Sequence, residues 1–394
     1  PPFSFHERPI RSFNPQVSEG LEAIVMRALE YDVEKRFASA KEMQQALLQA
    51  APSAQMATEM APTVPFAVRG EAGGIQPLWT FKCEDEVRSS PAVVDRVLYV
   101  GAYDNNLWAI DAQKGEFIWK YPTEGGIASS PCVWKDLVLF GSEDRLLYAV
   151  FTHSGRIAWT CPTQDRIRSS PRVAMEHVFF GSDDRHLYNV SARSGRMVWK
   201  FEAVGPIRSS PTIVEEIVYI GAQDYCVYAL NIQDGSVKWK FRTNRPIISS
   251  PTFFEGLVLI GSMDCNLYAL DASSGWAVWR YRTGGHVIST PAVDANLGLA
   301  FVGSADGNMY AVDLRTGRLA WKYTTGDQVI SSPALFEGAV YFGSVDGCVY
   351  SLDARSGELR WNYKTEGIVV SSPAVVEGVV YIGSADHRVY ALPA

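Results

Sequence analysis

The chain has no run of eighteen apolar residues, so no segment is expected to cross a membrane as a helix. It has no excess of positive charge either. Its 36 Lys and Arg stand against 43 Asp and Glu, a net charge of −7, which gives no reason to expect nucleic acid as a partner. Cysteine is scarce: Cys83, Cys132, Cys161, Cys226, Cys265 and Cys348 show no CxxC pair and no metal-ligand spacing. They read as scattered thiols in a reducing compartment, and a cytoplasmic location is expected. No basic start followed by an apolar run is visible, so no signal peptide is expected. A start at Pro1 reads as a fragment or a processed product.

What the chain does have is repetition. Tryptophan recurs at Trp79, Trp119, Trp159, Trp199, Trp239, Trp279, Trp321 and Trp361, at a step of 40 residues broken once by a step of 42. A period of this size marks a propeller or solenoid. Each copy reads as four short strands, an I-x-S-S-P-x-V strand, a V-Y-I-G-S strand, an L-Y-A-L-D strand and an outer G-x-x-x-W-x-Y-x-T strand. An Asp follows the end of every second strand (Asp104, Asp144, Asp184, Asp224, Asp264, Asp306, Asp346, Asp386), where it suits an Asx-type turn. Eight such units predict an all-β, eight-bladed propeller of four-stranded antiparallel blades over residues 76–394. The chain enters the repeats on an outer strand and leaves them on a third strand. Residues 78–83 are therefore expected to complete the blade begun by 371–392, closing the ring and removing its edges.

This pattern resembles the PQQ-type repeat with its Trp-docking motif, seen in quinoprotein dehydrogenases and in the bacterial outer-membrane assembly lipoprotein. The Trp-Asp and Gly-His pairs of WD-type repeats are missing. The resemblance implies that the eight tryptophans pack between blades. It does not imply catalysis, since a fold carries no activity by itself. Quinoprotein dehydrogenases bring long insertions, calcium ligands and adjacent cysteines, whereas here the one insertion is of two residues near 294–298 and no two cysteines adjoin. Neither PQQ nor a metal is expected as a cofactor.

Ahead of the repeats, Ser18 can cap a helix reaching about Glu30, and Ser39 with Glu42 forms a capping box for a second helix to about Gln49. The stretch 21–47, LEAIVMRALEYDVEKRFASAKEMQQAL, resembles the last two helices of a bacterial serine/threonine protein kinase domain. The resemblance makes Arg36 the arginine that pairs with a glutamate near the activation segment, and that glutamate would lie upstream. Without it Arg36 has nothing to neutralise it if buried, and the two helices are expected to be loosely held. The Gly-rich loop, strand lysine, HRD loop and DFG site are absent from this chain, so it has no kinase activity of its own. Residues 1–50 thus read as a helical remnant of a kinase C-lobe and 51–75 as a flexible tether.

Features present in every copy are architecture, so a unique site must lie where copies differ. The residue before Ser-Ser-Pro is Arg88, Arg168 and Arg208 in three early blades and aliphatic in the late ones, and Arg145, Arg185 and His186 occupy nearby turn positions. These six residues are the candidate ligand site, a basic arc on one face of the ring suited to a protein or an anionic small ligand. The competing reading is ordinary solvated arginines paired with Asp85, Glu86, Asp165 and Asp183. The expected function is a non-enzymatic sensor or scaffold propeller attached to a serine/threonine kinase. The alternatives are a stand-alone interaction scaffold of the outer-membrane assembly kind and, more remotely, a PQQ-dependent dehydrogenase.

Overall fold

The computed structural model describes residues 11, 18–30, 32, 35–50 and 75–394. The chain forms two compact units, residues 1–71 and 72–394. Apart from Ile75, the tether expected over 51–75 lies outside the described residues. Ile75 itself packs against a propeller cluster containing Val380 and Leu392, so the sheet unit begins slightly earlier than the composition of that stretch indicates.

In the first unit, helix α1 spans Glu19–Ala28 and helix α2 spans Ala40–Ala50. The Ser18 hydroxyl accepts from the Leu21 N–H at 3.3 Å, and Glu19 and Glu22 favour the dipole at that end. At α2 the Ser39 hydroxyl accepts from the Glu42 N–H at 3.2 Å while the Glu42 carboxylate accepts from the Ala38 N–H at 2.8 Å. That is a capping box displaced by one residue on its return bond. Ile24 is buried, and Arg27 joins the helices by an ion pair to Glu42 at 2.8 Å and by lying 4.2 Å over the Phe37 ring. Arg36 is exposed, and its Nε donates to the Glu30 carbonyl at 2.6 Å. Solvent and a carbonyl replace the carboxylate that a buried arginine would need.

The second unit is a ring of eight four-stranded antiparallel sheets, and the expected all-β class holds. In blade 1 the strands are β2 (Ala92–Val94), β3 (Val97–Gly101), β4 (Asn106–Asp111) and β5 (Phe117–Pro122). Blades 2 to 7 follow at 132–162, 172–202, 212–242, 252–282, 292–324 and 334–364. Blade 8 contains β30 (Ala374–Val376), β31 (Val379–Gly383) and β32 (Arg388–Pro393), and its fourth strand is β1 (Trp79–Lys82) from the other end of the chain. Trp79 faces Ala391 and Lys82 faces Arg388 in this antiparallel pairing. The ring is therefore closed by hydrogen bonds between its two ends, and no blade is left with only three strands.

First strands of neighbouring blades approach one another, β2 with β30 for instance, which places them around the axis. Second and third strands are buried on both faces because each blade is sandwiched between two others. Their sequences are accordingly continuous apolar runs rather than alternating ones. The core lies between blades. One cluster unites Phe179 and Leu187 of blade 3 with Val218, Ile220 and Leu230 of blade 4, and others repeat this around the ring. Each fully buried side chain of this kind contributes about 1.5–3 kcal/mol of transfer free energy. Blade spacing requires the glycine at the end of the second strand. A Cβ on Gly101 would stand 2.2 Å from Ile127 Cγ2 of the neighbouring blade.

Candidate functional site

The loop into each first strand and the turn between second and third strands meet at one end of the ring. Tyr103 N–H donates to the Glu86 carbonyl at 2.9 Å, and the Asp183 N–H to that of Arg166 at 2.9 Å. The repeat aspartates sit in these turns. Asp184 Oδ1 accepts from the His186 N–H at 3.0 Å, while Oδ2 accepts from the Tyr188 hydroxyl at 2.7 Å and the Gln164 N–H at 2.9 Å. Gln164 follows the outer strand of the preceding blade, so this carboxylate fastens one blade to the next. Seven blades use a tyrosine in this way; in blade 1 the indole of Trp108 donates to Asp104 instead, at 3.0 Å. Burial pushes the Asp184 carboxyl up, but its three donors outweigh that and hold it below the ordinary carboxylate value. Burial and the same carboxylate push the Tyr188 phenol up.

The tryptophans form a second fastening at the rim. Trp119 Nε1 donates to the Thr152 carbonyl of the following blade at 2.8 Å, and six others, Trp361 excepted, make the equivalent bond. Gly155, at φ +64°, lies on the Trp119 ring, where a Cβ would come within 2.6 Å of Cε3. An indole stacked on a left-handed glycine is the physical content of the docking motif.

The candidate arginines separate into two groups. Arg88, Arg168 and Arg208 belong to one continuous network. Arg88 donates to Glu86 at 2.6 Å and lies 5.1 Å over the Tyr103 ring, whose hydroxyl reaches Glu143 at 3.4 Å. Arg168 Nε donates to Glu143 at 2.8 Å and its Nη1 lies 3.5 Å from Asp183. Arg208 then grips Asp183 with Nε at 2.8 Å and Nη2 at 3.0 Å. Arg166 adds a 3.6 Å ion pair to Glu143. Burial would lower the Arg168 guanidinium, but Glu143 and Asp183 more than compensate and raise it.

Among the described residues, no hydrogen bond or ion pair joins the side chains of the other three candidates to that network. Arg185 pairs with Glu202 on the outer strand at 3.1 Å. His186 is buried, with Nδ1 3.0 Å from the Asp184 carbonyl, the place that Asn106 and Asn266 fill in other blades. Arg145 occupies a turn at φ +74°, its carbonyl accepting from Thr163.

Inside the ring, the axial cavity has a volume of about 770 Å³ and is walled by the second hydroxyl residue of each Ser-Ser-Pro or Ser-Thr-Pro, such as Ser90, Ser210 and Thr290. These hydroxyls form a circular chain. Ser90 N–H donates to Ser130 Oγ at 3.1 Å, Ser130 N–H to Ser170 Oγ at 3.0 Å, and Ser372 N–H returns to Ser90 Oγ at 3.0 Å. Seven of the eight links are present; the one ending at Thr290 is not formed. Among the described residues, no three His, Cys, Asp or Glu side chains gather as they would around a metal ion, and all six cysteines are free.

Four overlapping stretches, 71–176, 162–253, 243–335 and 326–394, match the family described as outer membrane protein assembly factor BamB. The chain belongs to the BamB-type PQQ-repeat family. No curated protein matches it. Among solved structures, BamB from Moraxella catarrhalis is similar at 17% identity and a TM-score of 0.71, covering 81% of this chain and 100% of that one. The computationally designed Ika8 protein aligns at 16% identity and TM-score 0.72, covering 81% and 100%. The quinohemoprotein alcohol dehydrogenase of Comamonas testosteroni aligns at 15% identity and TM-score 0.69, covering 81% and 76%. At these identities the likeness is one of fold.

Two features of this BamB-type ring escaped the reading of loop positions alone. The serine chain had a signal in the sequence, a hydroxyl residue in all eight copies. Arg280 and Arg282, two positions apart on the outer strand of blade 5, also had one, since a period of two puts both on one face.

Proposed function

We propose that this chain is a non-enzymatic binding propeller, the sensor or scaffold domain of a bacterial serine/threonine protein kinase, working on the cytoplasmic side. The observation that carries the binding reading is how the repeat carboxylates are used. Asp144 holds the Tyr148 hydroxyl and the backbone N–H groups of Leu146 and Glu124, as its counterparts do around the ring. A carboxylate with three committed donors is a fastener and makes a poor general base. Recognition by surface residues that differ among blades is what remains for such a ring to offer.

The kinase attachment is supported by the resemblance of 21–47 to the end of a kinase C-lobe and by the two capped helices found there. The coding sequence upstream of Pro1 tests it. A glycine-rich loop, catalytic loop and DFG motif in frame would support the reading, and their absence would overturn it.

A second reading, a stand-alone interaction scaffold, is favoured by the family match across the whole propeller. A signal sequence with a lipid-bearing cysteine upstream would select it over the kinase. The dehydrogenase alternative is tested by absorbance of the protein with added PQQ and calcium, where cofactor reduction on adding an alcohol would overturn the non-enzymatic reading.

A further inference from the structure

Blade 5 departs from the repeat in a way that the early arginines do not. Between its outer strand, Ala277–Arg282, and the adjoining loops lies a cleft of about 560 Å³. Its walls draw on three places in the chain: Arg245 in the loop entering the blade, Arg280 and Arg282 on the outer strand, and the imidazole of His286 in the loop leaving it. Asn244 and Asn266 add polar groups to the same walls. Among the described residues no carboxylate lies within ion-pair distance of any of the three arginines.

One acidic residue is present in the wall, and it is occupied. Asp264 accepts from the Asn244 N–H at 3.0 Å, the Tyr268 hydroxyl at 2.7 Å, and the Asn266 backbone and side-chain amides at 3.2 and 2.9 Å. In blades 1 and 8 the corresponding region carries its own counter-charge. Lys120 on the outer strand of blade 1 pairs with Glu84 at 2.7 Å, and Arg388 of blade 8 pairs with Glu366 at 2.6 Å. Arg245 has Asp85, Asp165, Asp327 or a glycine as its equivalents in the other seven copies, so a cation there is unique to this blade.

His286 has a defined orientation. Its Nδ1 lies 2.5 Å from the Met263 carbonyl oxygen, which can only accept, so Nδ1 carries a hydrogen, and Nε2 can meet a phosphoryl oxygen only as the N–H of an imidazolium.

We propose that this cleft binds a phosphate monoester. Three guanidinium groups supply planar, forked donors that match the terminal oxygens of a phosphoryl group, and a dianion answers their charge better than a single carboxylate would. The cavity is several times the volume of a phosphoryl group, so the ester's organic part enters with it. The assignment concerns blade 5 alone and stands whether or not a kinase adjoins the propeller.

The test is calorimetric titration of the full chain with inorganic phosphate and with O-phosphoserine, against Arg245→Ala/Arg282→Ala and, as a control, Arg88→Ala. O-phosphoserine is expected to bind with Kd below about 1 mM. The double variant should weaken binding at least about tenfold, and Arg88→Ala should leave it unchanged. Binding of both probes, or of the ester alone, with that loss supports the proposal. Three results overturn it: no heat with either probe, binding of phosphate without the ester, or affinity unchanged in the double variant. The exposed positions of both arginines should leave the melting temperature unaltered; if it falls, Arg245→Gln/Arg282→Gln replaces the double variant under the same criteria.

Discussion

Replacing Asp183 with alanine should destabilise the propeller by about 2 kcal/mol, because one carboxylate holds two arginines. Its side chain is only 8% accessible, and it receives Arg208 in a bidentate grip at 2.8 and 3.0 Å with Arg168 at 3.5 Å. A charge-assisted contact to a buried carboxylate is worth about 1.5–3 kcal/mol. Arg168 and Arg208 are 26% and 33% accessible, so water recovers part of that loss once they are released. Arg208→Ala removes the same contact from the other side, and a double-mutant cycle should return a coupling of about 1–2 kcal/mol. Urea unfolding of the four proteins, followed by tryptophan fluorescence at one salt concentration, measures it. Coupling near zero, with Asp183→Ala within about 0.5 kcal/mol of the parent, would refute the reasoning. The guanidinium groups would then be solvated and free, and Arg88, Arg168 and Arg208 would return as the leading ligand site.

Three further outcomes follow from the geometry. Gly195→Ala should cost about 2–4 kcal/mol, combining a φ of +67° with a Cβ 2.4 Å from Trp159 Cε3, whereas Gly256→Ala, at φ +79° in open space, should cost about 1 kcal/mol; equal losses in thermal unfolding would dismiss the stacking term. Ser351→Ala should stabilise by about 1 kcal/mol, since the Ser351 hydroxyl is fully buried at a position that is alanine in most blades and makes no well-formed hydrogen bond beyond its interaction with the facing Tyr341 phenol, and any loss of stability would show that the Tyr341 contact satisfies it. Asp353 is held down to about 2, first by the Ser356 N–H and then by Arg360. Its folded value lies below its unfolded one, so its contribution is present above the ordinary carboxylate range and is lost as pH falls toward 2. The stability gap between the parent and Asp353→Asn should therefore close between pH 5 and pH 2, and a gap that is constant over that window would contradict the assignment.

The fold was legible because its determinants repeat. A tryptophan, a turn aspartate and a left-handed glycine recur in fixed order, and each does in one blade what it does in the next, so the reading of any copy is checked by the others. Strand order at the two ends was equally legible, since a chain that starts on a fourth strand and ends on a third has one economical way to pair them. Charge pairing was not. Asp85 and Asp165 look like partners for Arg88 and Arg168 by proximity in sequence, but they spend their carboxylates on the N–H groups of Glu86 and Arg166, at 2.7 and 2.8 Å. The carboxylates that do hold Arg168 and Arg208, Glu143 and Asp183, each lie 25 residues upstream in a turn of the preceding blade.

The same displacement explains why the early arginines first drew attention and Arg280 and Arg282 did not. In a propeller, residues that meet at one end of the ring come from the exit of one blade, the middle turn of the next and the outer strand beside it. An anion site is thus written in pieces tens of residues apart, and a local run of arginines is a poor guide to it. What distinguishes a binding cation from a structural one is the absence of a carboxylate across the blade boundary. By that criterion Arg168 and Arg208 are structural, held by Glu143 and Asp183. Arg245, Arg280 and Arg282 share a cleft whose one carboxylate is already occupied by amide and phenol donors. Electrostatic departure from symmetry, read after pairing rather than before it, moves the candidate site from the early blades to blade 5.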